Sequence, residues 1–346
     1  MTTIDPVRVM FIGDPHFRQQ YIKVVDEFVR QTIEMVETQK PDVVVVGGDT
    51  LHDHEQARES CQSRAIAWFK ELALRAYTIV LIGNHDRPNN QHFLTKSHFF
   101  TGLEGTKNLK IVDNAAFSVE LKKSDITYRF IAVPYVPNGR FAEALKTLKT
   151  SIESHPPAAI FAHQEFKGVK MGAMISEDGD VWPTEGPLVI SGHIHEQQII
   201  GGNIFYVGTP YQTSFAEEPN KGIWFFDFKG KDSPAARLVK LKLRVKQSVT
   251  ISPGELATFK APDATFDFRL IITGPQEEVE ACKQTRAYKE IHSLPHVKIV
   301  CRPILDIKSI VGQEEKPLSY LQRLYDAVKE KPAHLDAYKR VLGNTQ

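Results

Sequence analysis

Four apolar runs, Val7 to Ile12, Val43 to Val46, Thr78 to Ile82 and Leu188 to Ile190, each stop at a short polar cluster. The clusters are Asp14-Pro15-His16, Gly47-Gly48-Asp49, Gly83-Asn84-His85-Asp86 and Gly192-His193-Ile194-His195. Runs this short and this apolar, interrupted only by Arg8 and opened in one case by Thr78, read as strands buried on both faces. Open α/β folds hold ligands just past the ends of their central strands. The chain therefore aims carboxylates, imidazoles and one amide at a single crevice.

Between the first two runs, Ile22, Val25, Phe28, Val29, Ile33 and Val36 recur at helical spacing, and Pro41 closes the segment. A second helix carries Ala65, Ile66, Phe69, Leu72 and Ala73 on one face. This alternation predicts a parallel sheet covered on both faces. From Ile111 the pattern turns strand-rich through Phe228, which predicts an α/β fold of two face-to-face sheets flanked by helices over the first ~245 residues.

With 346 residues, the chain exceeds what one core of ~250 to 300 residues holds, so a second, smaller unit is expected. Past Ser248, Phe266 to Thr273 and Val297 to Cys301 read as strands, with Pro275 to His292 a single helix between them. The tail repeats Leu318, Leu321, Leu324, Tyr325 and Val328 at helical spacing. Arg237 to Lys246 alternates, predicting a strand with Lys240, Lys242, Arg244 and Lys246 on one face. That face reads either as a lysine-guarded sheet edge or as a ribbon tracking a nucleic-acid backbone.

A formal net charge of +1 excludes attachment to nucleic acid by bulk charge and leaves only local patches. Cys61, Cys282 and Cys301 are odd in number and far apart, which argues against a disulfide framework and for a reducing compartment. No apolar stretch approaches the ~18 residues that span a bilayer, and no leader pattern opens the chain. The expectation is a cytoplasmic protein without a membrane partner.

The clusters supply ligands for two divalent metals. Asp49, framed by glycines, is the natural bridge. Asp14, His16 and His195 complete one shell; Asn84, His163 and His193 complete the other. Two cations ~3.5 to 4 Å apart clamp a phosphodiester and activate water. His85 is then placed to protonate the leaving oxygen, and His52 to contact the phosphate. Singly, each has a plainer reading: Asp14 and His16 a chance pair, Asn84 and His85 a turn, His163 a core histidine, His52 a loop residue. Their shared position at strand ends favours the metal site. His54, Asp53 and Asp86 are weaker candidates for holding ligand rings in place.

Asp-x-His, Gly-Asp, Gly-Asn-His-Asp and Gly-His-x-His, in this order, resemble the calcineurin-like metallophosphoesterase superfamily. Gly47 to His52, then Tyr206-Val207-Gly208-Thr209-Pro210-Tyr211-Gln212, Ser214 to Glu217 and Lys221 to Trp224, are similar to the nuclease subunit of SbcC/SbcD-type double-strand-break repair complexes and its phage counterparts. The resemblance covers residues 7 to about 230. It implies a manganese-dependent enzyme, with magnesium as the alternative, that degrades duplex DNA ends and nicks single strands. It further implies an SMC-like SbcC ATPase partner and a homodimer. Residues 1–246 would form the nuclease domain, 247–308 a small α/β capping domain, and 309–346 a helical, partner-binding segment. A phage-encoded form would act in the host cytoplasm. The rival readings are a nucleotide or small-molecule phosphodiesterase of the same superfamily and a non-catalytic scaffold.

Overall fold

Alternate burial decides the architecture. In the computed structural model, every residue of Val43–Val46 is buried, because odd positions face a second sheet and even positions face helices. Val7, Val9, Phe11, Val43, Val45, Ile79 and Leu81 fill the space between the sheets with Phe130, Phe161, Ile190 and Phe226. Met10, Ile12, Val44, Val46 and Val80 meet helices Ile22–Gln39 and Glu59–Ala73 instead. Each side chain so enclosed contributes roughly 1.5 to 3 kcal/mol relative to exposure. Trp68 joins the two helices, its indole N–H donating to Thr32 Oγ1 at 2.9 Å. The structure describes residues 5–304 except 55, 57 and 231, together with 324, 325, 327–329, 331, 334–336, 338 and 340.

The first sheet runs Ala235–Val239, Ile223–Phe228, Val7–Ile12, Val43–Val46, Tyr77–Leu81, Leu109–Val112 from edge to edge. Its last four strands are mutually parallel. The second runs Gln198–Ile200, Ile204–Tyr206, Val189–Gly192, Ala159–His163, Ile126–Ala132, Phe117–Lys123. Register matters more than strand count here. Ile12 pairs with Val46 and Val46 with Val80, while Gly192 pairs with His163. The polar clusters therefore leave their strands at matching heights.

The chain divides into two compact units, Met1–Ser248 with Pro262–Phe268, and Val249–Ala261 with Arg269–Gln346. A third sheet has three strands, Val245–Ile251, Phe266–Pro275 and Val297–Ile304. The single helix expected over 275–292 is instead two, Gln276–Cys282 and Arg286–His292. Thr285 breaks it by taking an extended backbone and capping the second helix, its side chain accepting the Tyr288 N–H. Of the tail stripe, Leu318 and Leu321 lie outside the described residues. Leu324, Tyr325 and Val328 are helical.

The alternating segment 237–246 is also corrected. Its strand ends at Val239, and residues 240–244 pair with no strand among the described residues. The Gln31 amide replaces the ladder, donating to Lys242 O at 3.1 Å and accepting its N–H at 2.7 Å. Lys240, Lys242 and Arg244 stay exposed while Leu241 and Leu243 pack inward, but Lys246 is buried. Its ammonium donates to Gln212 O at 3.0 Å and lies over the Tyr21 ring. The basic face of four residues is thus shorter by its last member. Among the described residues no helix is long and apolar enough to cross a membrane.

Candidate functional site

The nine side chains given metal or catalytic roles from sequence converge on one rim, and Asp49 is at the centre. Its Oδ1 accepts the His85 backbone N–H at 2.8 Å and lies 3.3 Å from His163 Nε2. Its Oδ2 faces the other way, 3.9 Å from both His16 Nε2 and His85 Nε2. One carboxylate thus addresses two separate donor groups.

The first group is Asn84, His163 and His193. His163 Nδ1–H donates to the Gly47 carbonyl at 2.7 Å, which turns Nε2 inward. That nitrogen sits 3.0 Å from Asn84 Oδ1 and 3.3 Å from His193 Nδ1, and His193 Nδ1 is 3.0 Å from Asn84 Oδ1. Neighbouring donors bound ~2.1 Å from a shared cation are separated by about 3 Å.

The second group is Asp14, His16 and His195. His16 Nε2 and His195 Nε2 are 2.9 Å apart and have at most one hydrogen to share if uncharged. Asp14 is fully buried, and neither of its oxygens has a hydrogen-bond partner. His163 Nδ1 comes within 3.4 Å of Asp14 Oδ1, but its hydrogen goes to the nearer Gly47 carbonyl. A buried, unpaired carboxylate costs several kcal/mol unless a cation meets it. This donor set fits a divalent cation on the chemistry of Asp14 alone.

Burial, then the nearby imidazoles, pushes His16 well below its ordinary range, and burial followed by His163 lowers His193 to about 3. Both are therefore neutral donors near neutrality. Burial opposes ionisation of Asp49, yet the His163, His16 and His85 rings hold its carboxyl well below the usual range. His163 shifts the opposite way, against burial, because Asp49 and Asp14 flank it.

His85 and His52 stand beside these groups. His85 Nδ1–H donates to the His52 carbonyl at 2.5 Å, leaving Nε2 directed at the cluster. His52 Nδ1 is 3.4 Å from His16 Nδ1, so His16, His52 and His85 form a third set of imidazoles close enough to share an ion. Burial, then Arg18, lowers His52 to about 4. His54 stacks on His85 with centroids 4.2 Å apart. Asp86 ties two clusters together, accepting the Leu51 N–H at 3.0 Å and the Gly83 N–H at 3.1 Å.

The backbone carries strain at these positions. His16, Asp49 and His193 have φ of 45°, 46° and 77°, a region costing non-glycine residues of order 1 to 3 kcal/mol. Pro15 disfavours a helical backbone at Asp14, and Tyr211 Oη–H donates to the Pro15 carbonyl at 2.5 Å. Gly48 has φ 105°, and a Cβ there would lie 2.3 Å from His163 Nδ1. Gly48→Ala is expected to destabilise the protein by about 2 to 5 kcal/mol in denaturant unfolding, from strain and overlap together. A loss under 1 kcal/mol would mean that His163 moves freely.

Residues 7–197 match the family described as calcineurin-like phosphoesterase. The chain belongs to the calcineurin-like phosphoesterases. It is 36% identical over 298 residues to "Putative phosphoesterase 078R" of Invertebrate iridescent virus 3, covering 84% of each chain. It is 35% identical over 296 residues to "Putative phosphoesterase 244L" of Invertebrate iridescent virus 6, covering 82% of this chain and 99% of that one. A solved structure titled "GAP50 the anchor in the inner membrane complex of Plasmodium" aligns with TM-score 0.48 and 12% identity, over 69% of this chain and 85% of that one. Membership makes this phosphoesterase a hydrolase of a family that uses divalent metals, and its convergent His and Asp groups are placed so that they could hold such cations.

Some groups around the phosphoesterase site escaped sequence reasoning. Tyr135 lays its ring against His193 at 5.7 Å, with the buried Arg87 guanidinium over it. Past the matched residues, Glu217 Oε1 lies 3.5 Å from His195 Nδ1, and Lys221 Nζ donates to His195 O at 2.6 Å. Glu217 is fixed by Thr213 N–H at 3.1 Å, Thr209 Oγ1 at 3.2 Å, Lys221 Nζ at 3.2 Å and the Thr213 hydroxyl. Burial opposes its ionisation, but His195, Lys221 and Thr213 hold its carboxyl far below the ordinary range. Spacing alone gave no signal for this pair.

Proposed function

We propose that this chain is a two-metal DNA nuclease, an exonuclease on duplex ends and an endonuclease on single strands, working as the nuclease subunit of an SbcCD-like complex. The observation that carries the reading is Asp49, whose two oxygens face different donor groups. Asp49 would bridge, Asp14, His16 and His195 would hold one cation, and Asn84, His163 and His193 the other. Manganese is the expected metal, with magnesium as the alternative. When bound, such a pair polarises the phosphodiester and activates the attacking water.

The protein's own groups supply the rest. His85 presents Nε2 with its opposite nitrogen anchored, the arrangement a proton donor to the leaving oxygen needs. His52, half-buried beside His16, orients a phosphate oxygen. DNA as substrate is supported by His52 three residues after Asp49 and by the Gly208 to Lys221 run, whose Glu217 and Lys221 grip His195. An SbcC-like SMC-family ATPase and a second copy of the chain are the partners this reading names.

Glu217 acts through His195, keeping the hydrogen on Nδ1 so that Nε2 is free to bind metal. Glu217→Gln is expected to weaken binding of one manganese ion by about 10- to 100-fold in calorimetric titration while sparing the other. Two unaltered affinities would remove Glu217 from the site.

The substrate is tested by incubating the protein with manganese and either labelled duplex DNA or a cyclic nucleotide. DNA cleavage that EDTA abolishes is expected. Cleavage of only the small ester would make the chain a nucleotide phosphodiesterase, and cleavage of neither a scaffold.

A further inference from the structure

Beside the rim a cleft of about 260 Å³ opens, bordered by His195, Gln197, Glu218, Asn220, Lys221 and Trp224. His195 belongs both to this cleft and, through His16, to the cluster around Asp49. Trp224 is half-buried and fixed in place. Its indole N–H donates to Val207 O at 3.2 Å, and Phe205 meets its ring edge-on at 4.9 Å.

Charge decides what the cleft can take. Lys221 is the one lysine or arginine among the lining residues, and its ammonium already serves His195 O at 2.6 Å and Glu217 at 3.2 Å. Glu196 and Glu218 are exposed along the opening. Among the described residues that line it, a second phosphate would meet two carboxylates and no free cation. An uncharged flat ring would instead meet a fixed aromatic surface and the exposed amides of Gln197 and Asn220, which both donate and accept.

We infer that this cleft is a nucleobase subsite, receiving the base next to the phosphodiester that the Asp49 cluster holds. The inference rests on the phosphodiesterase reading above. Trp224 stacks on the base, a contact every base can make, and the two amides rotate to meet its edge. The subsite therefore favours nucleotides over other phosphodiesters without selecting a sequence.

The test uses two esters with the same scissile bond, the p-nitrophenyl ester of thymidine 5′-monophosphate and its abasic counterpart, with the full chain and manganese. Wild type is expected to show a KM for the base-bearing ester about tenfold lower than for the abasic one. Trp224→Ala brings the KM ratio close to one, Trp224→Phe retains most of it, and Asn220→Ala, at an exposed position, reduces it in part. Should Trp224→Ala not fold, Trp224→Leu and Asn220→Ala carry the same comparison. Equal KM values in wild type, or a ratio that these variants leave intact, would overturn the subsite alone. No turnover of either ester would remove the hydrolase reading, and the subsite with it.

Discussion

Asp49→Asn is expected to lower phosphodiester hydrolysis by about 10³-fold or more, since a cation pair contributes several kcal/mol to the transition state. Asparagine keeps the shape of the side chain and tolerates the φ of 46° found there, so the fold should survive. The amide oxygen can still accept the His85 N–H now held at 2.8 Å. What disappears is the charge that lies between the two donor groups. Circular dichroism should match wild type, whereas titration should show weakened binding of both manganese ions. Activity within tenfold of wild type would show that Asp49 is a structural acceptor only.

The second large effect concerns His85. Its ring donates through Nδ1 to the His52 carbonyl, and its Nε2 is 3.9 Å from Asp49 Oδ2. Removing it should cost about 10²- to 10⁴-fold, the range general acids supply. His85→Ser keeps the backbone N–H that meets Asp49, so metal and DNA binding should be nearly unchanged. A p-nitrophenyl ester separates proton donation from mere positioning, because its leaving group departs without a proton. The His85→Ser loss on DNA should exceed the loss on that ester by at least about tenfold. Equal losses on both would assign His85 a positioning role.

Strand ends were legible because polar clusters interrupt apolar runs at points that register then aligns. Val7–Ile12, Val43–Val46 and Ile223–Phe228 fall where the apolar runs put them. Even His163, with no flanking motif, is the last residue of its strand and pairs with Gly192. Elsewhere a distant side chain overrode the local pattern. Residues 240–244 alternate like a strand, yet the Gln31 amide, 211 positions away from Lys242, takes the place of a neighbouring strand. Thr285 caps a second helix three residues after the first has ended at Cys282, within a stretch of uniform helical character. Glu217 and Lys221 were visible as letters in a motif. Their grip on His195 appears only when the chain returns to it.

The metal pair itself is counted most directly by loading chelator-treated protein with manganese, removing the excess, and recording elemental content with an electron paramagnetic resonance spectrum. Two manganese ions per chain with a spin-coupled signal are predicted, and Asp49→Asn should abolish the coupling. A single uncoupled ion, or none, would contradict the account.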